Sequence, residues 1–203
     1  ALSLVLPSLH AGLFASPDET AVAVSIAQIG KTGSAAVAEP LARALPWLHP
    51  RSYVASGDAL VPIGFLGWPW WLAQVDRFLP FAALTWFASV FAASGVIPWY
   101  LLLRKRFGPA AAWWGTAIAW TFPPVLLYLN RSFFGHLPQY SLLFWSVWIV
   151  IWVAGHENRT RSTQRAWHVL AGLLLGIALS FRPVEAVWLL PVFGVMWSLG
   201  GSI

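Results

Sequence analysis

The chain has 203 residues, 59% of them hydrophobic and 9% charged, with a mean hydropathy of +0.69 and a formal net charge of +5. So little charge excludes a soluble domain with a polar surface and points to an integral membrane protein. Cysteine is absent, which excludes disulfides and thiol chemistry. The positive balance requires no nucleic-acid partner, because six of the twelve Lys and Arg residues fall in two short loops that would set topology.

In chain order, residues 1 to 15 are apolar but short and read as the last part of a first span, so the chain is expected to begin inside a helix. Ser16, with Pro17 after it and Glu19 three positions on, is a capping-box start. Val22, Ile26 and Ile29 then share one face, which predicts a short interfacial helix to Gln28 or Gly30. Gly and Pro interrupt the following residues, and Lys31 to Asp58 is expected to be irregular. The run Phe65 to Leu72, with Trp68, Trp70 and Trp71, suits the headgroup level or a partial insertion. Residues 16 to 80 are therefore expected to form one external loop carrying interfacial helices.

A spanning helix needs about 20 mostly apolar residues. Phe81 to Leu103 and Pro109 to Leu129 meet that length, and Leu137 to Ala154 falls a little short of it. Residues 167–181 and 184–199 are each short and are expected to form a hairpin of two spans about Arg182-Pro183-Val184-Glu185. The expected fold is an all-α polytopic transmembrane bundle of about six spans, a single domain over 1–203 that is truncated at both ends.

Lys and Arg in short loops mark the cytoplasmic side. Arg104-Lys105-Arg106 and the stretch from His156 to Arg165, with three arginines, both belong there. Asp18, Glu19, the 130–136 loop and the Arg182 turn then fall on the external side of what is expected to be a plasma (inner) membrane. Asp18 and Glu19 are the chain's only adjacent acidic pair, which makes them the candidate catalytic residues. Glu19 is also explained by its capping duty, and Asp18 by the helix dipole. Arg182 either snorkels to headgroups or faces a cavity between two apolar helices. His49 and Arg51 suit a solvated loop as well as a ligand, Arg131 suits an interfacial anchor, and Asp58 and Glu185 are supporting partners or plain loop residues. No phosphate loop, paired-His zinc motif, nucleophile elbow or dinucleotide fingerprint is present in the sequence.

The sequence Pro17-Asp18-Glu19-Thr20 at a helix start, His49-Pro50-Arg51-Ser52, Val61-Pro62 and Phe65-Leu66-Gly67 resembles the multi-spanning GT-C glycosyltransferases. The likeness is to the branch of dolichyl-phosphate-mannose protein mannosyltransferases and RgtA/B/C/D-like enzymes, over nearly the whole chain. Asn130-Arg131-Ser132-Phe133-Phe134 and Gly172 to Pro183 agree with it, and the chain looks like an amino-terminal piece of such an enzyme. The resemblance implies a sugar transferred from a polyprenyl-phosphate carrier to an acceptor hydroxyl on a glycan, lipid or protein, at the external or periplasmic face. Asp18 or Glu19 would be the general base. Arg51, Arg131 and Arg182 would hold the lipid phosphate, with His49 and His136 donating hydrogen bonds. No cofactor is implied, and a single acidic pair does not require a metal, although some members of the superfamily use a divalent ion. The competing class is a transporter or flippase for a lipid-linked or anionic substrate, or a non-catalytic membrane subunit. A transporter would be expected to carry ionisable groups in mid-span.

Overall fold

The computed structural model describes residues 16–131, 133–155, 160–185 and 187. The expected first span at 1–15 and the second arm of the hairpin, 184–199, lie almost wholly outside these residues.

Helix α1 (Pro17–Thr32) starts as its residues dictate. Ser16 is extended, and its Oγ accepts from the Glu19 amide at 3.3 Å. Pro17 fills the first helical position, where its missing N–H costs nothing. The helix ends at Gly33, which turns left-handed at φ 76° and donates to the Ile29 carbonyl. Ile26 and Ile29 are buried on one side of α1, as their spacing predicts.

The stretch expected to be irregular is a small antiparallel sheet. Strands β1 (Val37–Ala38), β2 (Tyr53–Ser56) and β3 (Ala59–Pro62) pair in the order β1-β3-β2, with Tyr53 opposite Pro62 and Val37 opposite Leu60. The short helix α2 (Leu41–Ala44) lies between β1 and β2. Gly57, with φ 59°, and Asp58 make the two-residue β2–β3 turn. The sheet corrects the all-α expectation. It escaped the sequence because these strands have at most four residues, too few for a clear alternating pattern. Two contacts dock it on α1: Tyr53 donates its hydroxyl to the Ala21 carbonyl at 3.3 Å, and Gln28 Nε2 donates to the Ala36 carbonyl at 3.2 Å. Burial pushes the Tyr53 phenol up, against a smaller opposite pull from Ser25.

The Trp-rich run is helix α3 (Gly67–Asp76), and one face of it packs into the protein. Trp68 is 2% exposed, and Leu72 and Ala73 are fully buried. Trp68 meets Trp71 at 5.5 Å and the edge of Phe181 at 4.9 Å, while Trp71 meets Phe91 at 4.9 Å. Trp70 alone of the three tryptophans faces outward.

Helices α4 (Phe81–Ala93) and α5 (Val96–Phe107) follow almost without a break. Together they form one of three stretches among the described residues that are long and apolar enough to cross a membrane, Phe81–Phe107. The second is α8 (His136–Ala154) and the third α9 (Arg161–Phe181). The protein is thus predominantly helical with three helices of membrane-crossing character. The expected span from Pro109 to Leu129 is divided into α6 (Pro109–Thr121) and α7 (Pro123–Asn130). The reason is local. Phe122 precedes the Pro123-Pro124 pair and takes an extended backbone, φ −59° and ψ 129°, as a residue before proline prefers. Helix α9 starts six residues earlier than the expected 167, capped by Thr160, whose Oγ1 accepts from the Thr163 amide.

Helices α8 and α9 pack antiparallel. Gln139 Nε2 donates to the Arg182 carbonyl at 3.2 Å, and Ser146 Oγ to the Ala171 carbonyl at 2.8 Å. Ser141 bonds the Ala92 carbonyl of α4 in the same way. Hydroxyls of this kind hold apolar helices together where hydrophobic packing distinguishes little between helix and lipid. At one end of the bundle, Lys105 Nζ donates to the Ile151 carbonyl at 3.2 Å and brings the Arg104-Lys105-Arg106 segment against the end of α8. The start of α8 and the end of α9 lie at the opposite end.

Candidate functional site

A cavity of about 250 Å³ opens at that opposite end. Its wall is assembled from five places: the first turns of α1, Ser52 just before β2, the connection from Pro62 to Pro69, the segment Phe133 to Gly135 before α8, and Phe181-Arg182 at the end of α9. Sequence separation hides this convergence, because Asp18 and Arg182 are 164 positions apart and both line the cavity.

Asp18 stands in the first turn of α1 and is exposed. Ser52 donates its hydroxyl to one oxygen of the Asp18 carboxylate. Arg182 follows the last residue of α9. Its Nε pairs with Glu185 Oε1 at 2.6 Å, and its guanidinium lies 5.7 Å from the centre of the Phe65 ring. The fully buried Gln139 holds the Arg182 backbone from α8. Trp68, Phe133 and Phe181, all almost fully buried, contribute aromatic surface to the same wall. The cavity therefore combines a carboxylate, a guanidinium and aromatic rings, a mixture suited to a ligand with hydroxyls, an anionic group and apolar faces.

The remaining candidates lie elsewhere. Glu19 is buried, 4% exposed, and does not line the cavity, since adjacent helical residues point about 100° apart. His49 and Arg51 are exposed in the connection before β2 and are not part of the lining; His49 Nδ1 is 3.2 Å from the Pro50 carbonyl oxygen. Arg131 and His136 flank the Phe133–Gly135 wall without lining the cavity. The His136 ring lies 4.8 Å from that of Tyr128, tilted by 36°, and the Arg131 guanidinium lies 5.7 Å from the Phe134 centroid. Arg131 Nε, His136 Nδ1 and Asn130 Oδ1 are buried without a hydrogen-bond partner among the described residues. Of the two supporting acids, Glu185 pairs with Arg182, whereas Asp58 pairs on the surface with Arg43 at 3.1 Å.

Three contributors went unmarked in the sequence. Ser52 stands in the His49-Pro50-Arg51-Ser52 stretch, where a serine by itself carries no signal. Phe65 and Gln139 are an ordinary aromatic and an ordinary amide until the fold brings them to Arg182. Gln139, a polar residue within an apolar helix, is the one whose position alone could have flagged it. No family model, no curated protein and no solved structure matches this chain.

Proposed function

We propose that the protein transfers a sugar from a polyprenyl-phosphate carrier to an acceptor hydroxyl, as the resemblance to GT-C glycosyltransferases implies. The observation that carries the reading is the juxtaposition of Asp18 and Arg182 in one aromatic-walled cavity, at the end of the bundle away from Lys105. Asp18 takes the proton of the acceptor hydroxyl as its oxygen attacks the anomeric carbon. The bond from that carbon to the phosphate oxygen breaks, and the phosphate leaves with the electron pair. Arg182 stabilises the charge gathering on the leaving phosphate. For this, Arg182 exchanges part of its pairing with Glu185 for the phosphate, and its planar fork has further N–H donors for the purpose. Arg131 Nε and His136 Nδ1 are buried and unpartnered beside the same wall but outside the cavity lining, and the scheme gives them no contact with the ligand. Glu19, His49 and Arg51 lie outside the cavity lining and take no part in this scheme.

The transporter alternative finds less support. The three helices of membrane-crossing character contain no Asp or Glu, so they offer no carboxylate relay through the bilayer.

The test is transfer from a radiolabelled polyprenyl-phosphate sugar pool in membranes carrying the protein as its gene encodes it. Asp18→Asn should lower transfer by about 10²–10⁴-fold with donor binding retained, the range expected for loss of a general base. Unchanged transfer in this variant removes Asp18 from the mechanism, and absence of transfer with the wild-type protein overturns the reading.

A further inference from the structure

Among the described residues, Ser52 is the single non-glycine with a positive φ, at +74°. A side chain in the left-handed region is crowded against its own backbone, and glycine is the usual solution, as Gly33 and Gly57 show nearby. Serine persists at 52 although its hydroxyl makes no backbone cap; the hydroxyl goes to the Asp18 carboxylate. The backbone around it is held firmly. The Ser52 carbonyl accepts from the Ile63 amide at 3.1 Å, continuing the β2–β3 ladder, and the Tyr53 amide donates to the Pro50 carbonyl at 3.1 Å. Tyr53, the next residue, reaches Ala21, one helical turn beyond Asp18. The hairpin thus grips α1 at two points three residues apart. One grip is an ordinary docking contact. The other ends on the carboxylate that lines the cavity, and Ser52 lines it too. A strained backbone that the surrounding structure enforces, next to a cavity holding a carboxylate and a guanidinium, marks a place where geometry is kept at a cost in stability.

We propose that Ser52 is the positioning residue of the Asp18 carboxylate: its hydroxyl occupies one carboxylate oxygen and fixes the other for the ligand. The inference rests on the reading of Asp18 as the base. Ser52 does not itself touch the reacting atoms. It acts by restricting Asp18 to one rotamer, and a small misplacement of a base costs turnover more than affinity.

Three substitutions in the intact protein separate this role from simple loop geometry. Ser52→Ala removes the hydroxyl and keeps the strain, Ser52→Gly removes both, and Ser52→Asn keeps a donor on a residue that tolerates the left-handed region. The alanine and glycine variants should lose about tenfold or more in kcat to a similar extent, with KM for the lipid-linked donor nearly unchanged, although the glycine variant melts several degrees higher than the alanine variant. Ser52→Asn should recover part of the loss. A glycine variant with wild-type kcat overturns the proposal. A second readout makes no use of sugar transfer: a thermal-stability cycle of Ser52→Gly, Asp18→Ala and the double variant. Ser52→Gly should shift Tm differently in the two backgrounds, and equal shifts overturn the contact. If the wild-type protein transfers no sugar, the transferase reading falls while this cycle still decides whether Ser52 holds Asp18.

Discussion

Adjacent acidic residues parted company on folding. In the sequence Asp18 and Glu19 differ only in that Glu19 sits at the capping-box position, yet the turn of one helical residue sends Asp18 to the cavity and Glu19 into the interior. The capping role of Ser16 is legible because it depends on residues three apart; the pairing of Asp18 with Ser52 is not, because it depends on a loop residue 34 positions away. Glycines illustrate the same limit. Gly67 opens the Trp-rich run and reads as an ordinary breaker, but a Cβ there would overlap the Ser180 carbonyl of α9. Gly67→Ala should therefore separate α3 from α9 and destabilise the protein by about 1–3 kcal/mol, the usual range for overpacking a close contact. A lowered Tm in detergent would report this, and a Tm equal to wild type would mean that the two backbones part without strain.

Elements were read most reliably where a long pattern met a clear cap. Helix α1 ran as its capping box and apolar face require, and α8 coincided nearly with the expected 137–154. Hydropathy alone starts α9 too late, because Arg161 to Gln164 are polar and read as loop. They are helical because Thr160 caps them. Thr160→Ala should cost about 0.5–2 kcal/mol and fray that first turn, visible as faster amide hydrogen exchange at residues 161–164 with α8 unaffected. At 109–129 the reverse holds: continuous apolarity masks a Pro-Pro break that backbone chemistry enforces. Apolar composition reports an environment, whereas caps and prolines decide where a helix begins and stops.

At the scale of the whole molecule, the distribution of charge and the arrangement of helices agree. The Arg104-Lys105-Arg106 segment meets the end of α8 through Lys105, and the cavity occupies the other end. If the bundle crosses a bilayer with its basic loops inside, Arg106→Cys and Asp58→Cys should be labelled by a membrane-impermeant thiol reagent from opposite sides. The natural lack of cysteine leaves no background, and both positions are exposed. Labelling from the same side would remove the external location of the cavity. Three helices long and apolar enough to cross a membrane are present among the described residues, and the expected count of about six includes segments outside them and the broken pair α6 and α7.

That broken pair has a further effect on its surroundings. Pro123 and Pro124 carry no amide hydrogen, so the carbonyls of Ala119 and Trp120 lack the donors that the next turn of a continuous helix would supply. An oxygen in that position within hydrocarbon draws water or a neighbouring hydroxyl toward it. Were the flank formed by α6 and α7 to face hydrocarbon, water or a neighbouring hydroxyl would have to complete the backbone at this break.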